Sequence, residues 1–101
     1  MQIPQGLFSR RTDYLLTVRG ESMADMGIKN GDWIGVARRD TAEIGEIVIA
    51  LYDGNVTVKE LAAKGTQVVL APHNRSMKAL RLPGREVRII GVYTGALLRP
   101  G

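Results

Sequence analysis

Ile47-Val48-Ile49-Ala50-Leu51-Tyr52-Asp53-Gly54-Asn55-Val56-Thr57-Val58-Lys59-Glu60 is the stretch on which the fold turns. Two β-branched runs flank Asp53-Gly54, and Asp-Gly tolerates the positive φ values of a type I′ turn, so the segment reads as a hairpin. Outward from it, the same grammar repeats: short apolar runs separated by Gly or Asp, with little helical periodicity. The spacing predicts strands at Tyr14–Arg19, Trp33–Arg38, Ile47–Tyr52, Val56–Ala62, Gln67–Ala71 and Val87–Leu98. Lys64-Gly65 and Asn30-Gly31-Asp32 read as further turns, and Pro72-His73-Asn74 through Pro83-Gly84 as an irregular connection. Met1 to Phe8 carry no strong pattern. Six strands in 101 residues predict a mainly β, compact, strongly bent sheet fold, one domain built with hairpins.

The totals narrow the class. An apolar content of 45% with 24% charged residues belongs to a globular chain rather than a disordered one. No apolar run approaches the roughly 20 residues of a membrane span, and no apolar signal core opens the chain, so a cytoplasmic location without membrane contact is expected. Cysteine is absent, which removes disulfides and thiolate metal sites. The net charge of +4 would suit nucleic acid, but the basic residues are dispersed and the few aromatics form no stacking platform. The chain alone is expected to hold duplex DNA no better than a generic basic protein.

Few residues could carry chemistry. His73 is the single histidine, sits beside Asn74 in a polar turn, and reads as a surface residue rather than part of a Ser–His–Asp triad or metal site. Asp25 with Asp32, and Glu43 with Glu46, flank turns and read as solvated. No cofactor is expected. Two places are less ordinary. In Val18-Arg19-Gly20-Glu21-Ser22-Met23 a strand hands over at a glycine to a serine, and glycine lets the chain bend where a Cβ would clash. In Val56-Thr57-Val58-Lys59-Glu60-Leu61 side chains alternate, so Thr57, Lys59 and Leu61 share one face. A strand lysine is ordinarily an edge or snorkelling residue. Partial burial would instead lower its pKa, whereas an unperturbed lysine is neutral in only about one molecule in 2,500 at pH 7. A neutral amine can take the proton of a serine hydroxyl, and Thr57 could hold that amine.

Gly20-Glu21-Ser22-Met23, followed by Asp25, Gly27-Ile28 and Asn30-Gly31-Asp32, resembles the G-x-S-M…D-x-G-I…G-D signature of LexA-type repressors, and Val56-Thr57-Val58-Lys59 resembles that family's lysine strand. Ser22 and Lys59 stand 37 positions apart, as in the family, and the likeness runs from about Leu7 to Leu98. The resemblance implies the bent β-fold shared by these repressors and signal peptidases. It implies Ser22 as nucleophile, Lys59 as general base, the backbone N–H groups of Glu21 and Ser22 as oxyanion hole, and Thr57 as the residue orienting the amine.

In that family a C-terminal domain dimerises and cuts its own chain at an upstream Ala-Gly bond when RecA filaments form, which relieves repression in the SOS response to DNA damage. Operator DNA is bound by a separate N-terminal domain. Residues 1–101 would then be the C-terminal catalytic and dimerisation domain, with homodimer and RecA filament as partners. The departures are plain. No DNA-binding domain precedes Ser22 here, only 21 residues do, and no Ala-Gly dipeptide occurs. A UmuD-like mutagenesis protein, a phage repressor, or a dimerisation module whose dyad is idle are the alternatives. Signal peptidase itself is disfavoured, because no membrane anchor is present.

Overall fold

The computed structural model describes residues 11–100. It contains seven strands: β1 (Tyr14–Thr17), β2 (Trp33–Arg38), β3 (Ile47–Tyr52), β4 (Asn55–Ala63), β5 (Gln67–Ala71), β6 (Leu80–Pro83) and β7 (Arg88–Leu98). They form one antiparallel sheet in the order β1-β2-β7-β3-β4-β5-β6. Among the described residues helix is confined to two short 3₁₀ turns, Ala24–Met26 and Gly84–Glu86. Among the described residues no helix is long and apolar enough to cross a membrane.

The hairpin forms as its sequence requires. Asp53 (φ 49°) and Gly54 (φ 73°) both take positive φ, and pairing runs from Tyr52↔Asn55 to Ile47↔Glu60. The opening stretch 1–10 lies outside the described residues. One expectation is corrected. The stretch from Pro72 to Gly84 is not wholly irregular, because Leu80–Pro83 pairs with β5 as a seventh strand. It is an edge strand of four residues ending in proline, which has no N–H to give to a further neighbour. The closing strand, although last in sequence, is not an edge over its whole length. Gly91 and Val92 pair with both β3 and β2, Arg88 and Ile89 pair with β3 alone, and Tyr93 to Leu98 pairs with β2 alone.

The sheet is covered on both faces. On β3, Ile49 enters one core with Val18, Met23, Ile28, Ile34, Val36 and Val58, while Val48 and Ala50 enter the other with Ala42, Leu61, Val68, Leu70 and Val92. Burial on both sides explains why β3 reads as a continuous apolar run instead of alternating. Register shifts at Ile34/Val36, Ile49/Ala50 and Leu61/Ala63 mark bulges, which bend strands and sharpen twist. At the first of these, Gly35 leaves no room for a side chain: a Cβ would run into Thr94, Ala96 and Thr12. The bending has a consequence for function. In a flat sheet β1 and β4 would lie roughly 19 Å apart, at about 4.8 Å per strand. Here both strands line one cleft, and Val58 shares a core with Tyr14 and Leu16.

Candidate active site

The handover from β1 to the serine is built by anchors on either side of it. Val18 still pairs, donating to the Asp32 carbonyl at 2.8 Å and accepting from Gly31. Gly20 then takes φ 86°, a region in which L side chains are strained, and its N–H is held by Asn30 Oδ1 at 2.8 Å. Met23, wholly buried, plugs the turn into the core, and its carbonyl accepts from Met26 and Ile28. Between these fixed points Glu21 and Ser22 stay at the rim, Glu21 exposed and Ser22 half-buried. Among the described residues neither the Glu21 N–H nor the Ser22 N–H has an acceptor.

Ser22 and Lys59 line the same cleft of about 370 Å³, together with Thr57, Glu21, Gly20, the β1 residues Leu16 and Thr17, Val56, Val58 and Met77. Ser22 Oγ donates to the Val58 carbonyl at 3.4 Å, long for an O–H···O bond, so the hydroxyl is only loosely held. Lys59 is 7% exposed, and its Nζ donates to Thr57 Oγ1 at 2.5 Å. Burial lowers its pKa below the ordinary lysine value, since the ammonium loses hydration and no carboxylate among the described residues compensates it. A buried lysine without a counter-ion is an expensive feature for stability alone. The expected alternation holds: Thr57 and Lys59 meet on one face of β4.

Among the described residues the edges of the cleft are also unpaired: β1 pairs only with β2, and β4 pairs with β5 only from Glu60 onward, so Asn55 to Lys59 have a side without a described neighbour. Free strand edges can take an extended peptide by backbone hydrogen bonding.

Other expectations need amendment. His73 is half-buried rather than a free surface residue, with Nε2 2.8 Å from Glu60 Oε1, and it does not line the cleft. Asp32 is buried, not solvated: it accepts from the Lys29 N–H at 2.8 Å and from Arg99 Nε at 3.0 Å, and the Arg99 hydrogen bond holds its carboxyl below the usual range. Glu46 is largely covered and accepts from the Glu43 N–H, while Glu43 itself is exposed and pairs with Lys64. Asp25 accepts from the Arg75 N–H at 2.9 Å. Sequence reasoning missed the loop from Pro72 to Lys78, which packs against the serine corner and brings Met77 to the cleft. Its cluster of turn-forming residues was the available signal, but nothing local says what a loop will touch.

The Peptidase S24-like family matches residues 1–94, and the chain belongs to that family. It is similar to LexA repressor of Alcanivorax borkumensis, 41% identical over 98 residues, covering 97% of this chain and 48% of the relative. LexA repressor 1 of Xanthomonas axonopodis pv. citri is 41% identical over 100 residues (98% and 49%), and LexA repressor of Thermotoga petrophila 40% over 96 residues (94% and 49%). The chain therefore spans about half the length of these relatives.

Proposed function

We propose that this chain is the self-cleaving C-terminal domain of a LexA-type transcriptional repressor, a serine endopeptidase working through a Ser22–Lys59 dyad. The observation that carries the reading is the single cleft lined by both residues, in which Lys59 is buried with no counter-ion among the described residues and its amine is held by Thr57. Such a lysine is deprotonated more readily than one in water, and a neutral Nζ has the lone pair a base needs.

The chemistry follows in two movements. Ser22 Oγ adds to the scissile carbonyl carbon as its proton passes to Nζ, and the carbonyl π electrons move to oxygen. The unpaired N–H groups of Glu21 and Ser22 receive that oxyanion; donors of this kind are each worth roughly 10²–10³ in rate. Collapse of the intermediate expels the amine, which takes the proton back from Lys59, and water then hydrolyses the acyl-enzyme by the same route. The substrate is an extended segment laid between the free edges of β1 and β4. In the whole protein that segment is the upstream Ala-Gly linker, cleavage is stimulated by RecA filaments on single-stranded DNA during the SOS response, and operator DNA is held by an N-terminal domain. Self-association into a homodimer is the second role, and the side of Tyr93–Leu98 that has no partner among the described residues offers an edge for it.

The test supplies an Ala-Gly peptide in trans and, separately, measures mass in solution. Cleavage at Ala-Gly that Ser22→Ala abolishes, and a sedimenting species of about twice 11.0 kDa, are the expected results. A folded protein that neither cuts the peptide nor reacts with serine-directed inhibitors would leave an idle dyad. A monomer at high concentration would remove the dimerisation role.

A further inference from the structure

The loop that follows β5 touches the serine corner at three points. The Asp25 N–H donates to the His73 carbonyl at 2.7 Å, the Arg75 N–H donates to Asp25 Oδ2 at 2.9 Å, and Asn74 Nδ2 donates to the Glu21 carbonyl at 2.7 Å across a sequence separation of 53. The third contact differs from the other two in what it holds. The Glu21 carbonyl and the Ser22 N–H belong to one peptide unit, and in a planar trans peptide they point in opposite directions. Whatever fixes the carbonyl on one side therefore aims the N–H to the other.

We infer that Asn74 is a positioning residue for the oxyanion hole: by holding the Glu21 carbonyl it turns the Ser22 N–H toward the cleft. The carbonyl is doubly held, since the Ala24 N–H also donates to it at 3.1 Å. Hydrogen bonds to a peptide oxygen also polarise the unit and strengthen its N–H as a donor, so the contact both orients and sharpens the group that meets the oxyanion. Asn74 is itself fixed in orientation, because its Oδ1 accepts from the Ser76 N–H at 2.9 Å while Nδ2 serves Glu21. The inference rests on the Ser22–Lys59 reading and adds to it a residue on another segment.

These bonds also dictate the test. In Asn74→Asp an oxygen remains for the Ser76 N–H, but the donor to Glu21 is gone. The two contacts through Asp25 stay, so the loop remains docked. Asn74→Ala is run beside it because it adds no charge. The 101-residue chain is treated with a fluorophosphonate, in which Ser22 Oγ bonds to phosphorus, fluoride leaves and the serine proton passes to Lys59; adduct formation is followed by mass across pH. The rate should climb to a plateau as Lys59 loses its proton. Both variants should lower the plateau by about 10- to 100-fold, as expected when a reactive geometry is displaced rather than deleted, and Asn74→Ala should keep the wild-type midpoint. Arg75→Ala, which retains its backbone contact, should match the wild type. A wild-type plateau in either folded variant, or a moved midpoint with the plateau kept in Asn74→Ala, overturns the role of Asn74 while leaving the dyad intact. A wild-type chain that never reacts overturns both.

Discussion

Of the hollows on the described surface, two make a contrast, and the larger of the pair is the less informative. It measures about 640 Å³ and is lined by Tyr14, Arg38, Arg39, Asp40, Arg88, Ile89 and Ile90, with the Arg38 guanidinium 5.6 Å from the centre of the Tyr14 ring. Its three arginines are exposed, permanently charged groups that can attract an anion but cannot accept a proton. The smaller hollow, about 370 Å³, holds a serine hydroxyl, a desolvated amine and two backbone donors without acceptors among the described residues. On the proposed reading, volume does not locate the chemistry. Groups kept away from the state they would adopt in water do.

That contrast can be broken at its strongest point first. In the small cleft Ser22→Ala should remove fluorophosphonate labelling and peptide cleavage entirely. Lys59→Arg should cost about 10²–10⁴ in rate near neutral pH, the usual worth of a general base, because a guanidinium stays protonated while keeping charge and most of the length. Thr57→Val, which keeps the shape and removes the hydroxyl that holds Nζ, should cost about tenfold, seen in the same assay. Near-normal labelling of Lys59→Arg would make Lys59 a charge stabiliser rather than a base.

Stability should also depend on the buried amine. The folded protein binds the Lys59 proton less tightly than the unfolded chain does, so wild-type stability should rise with pH between the lowered folded pKa and the ordinary lysine value of about 10.4. Lys59→Met, of similar volume, removes the desolvated charge. It should melt at a higher temperature than the wild type at neutral pH, with the advantage shrinking as pH rises through that window. Calorimetry at several pH values checks it, and a less stable Lys59→Met at neutral pH would mean that the lysine is held by contacts that compensate its burial.

The smallest effect belongs to the larger hollow. Arg38→Ala and Arg88→Ala should each leave the rate of Ser22 labelling within about twofold of the wild type. A loss of tenfold or more would join the two hollows functionally.

The strands were legible where local chemistry sets them. Asp53-Gly54 imposes its turn, and alternation or β-branching marks β2, β3 and β5 at the bounds observed. Leu80–Pro83 was not, because four residues carrying an arginine and ending in proline are told from a loop only by the neighbour they pair with. The place of β7 was hidden for a related reason. Strand order depends on contacts far apart in sequence, and a terminal strand gives no local sign that it will be inserted between β2 and β3. At the site, Ser22 and Lys59 could be singled out by the glycine corner, the strand alternation and the spacing of two motifs. The burial of Lys59 could only be conjectured from sequence, since it depends on the sheet bending until β4 faces β1. Asn74 was visible as a turn residue and nothing more, because its partner is a backbone carbonyl, which leaves no trace in residue identities.

Whether burial makes Lys59 available as a base is read from titration of its Nζ by nitrogen-detected NMR in the folded protein. The expected midpoint lies below about 10.4, the ordinary lysine value, with the rate of Ser22 labelling rising through that same midpoint. A Lys59 that titrates at or above the ordinary value, with Ser22 labelling indifferent to its protonation, would contradict it.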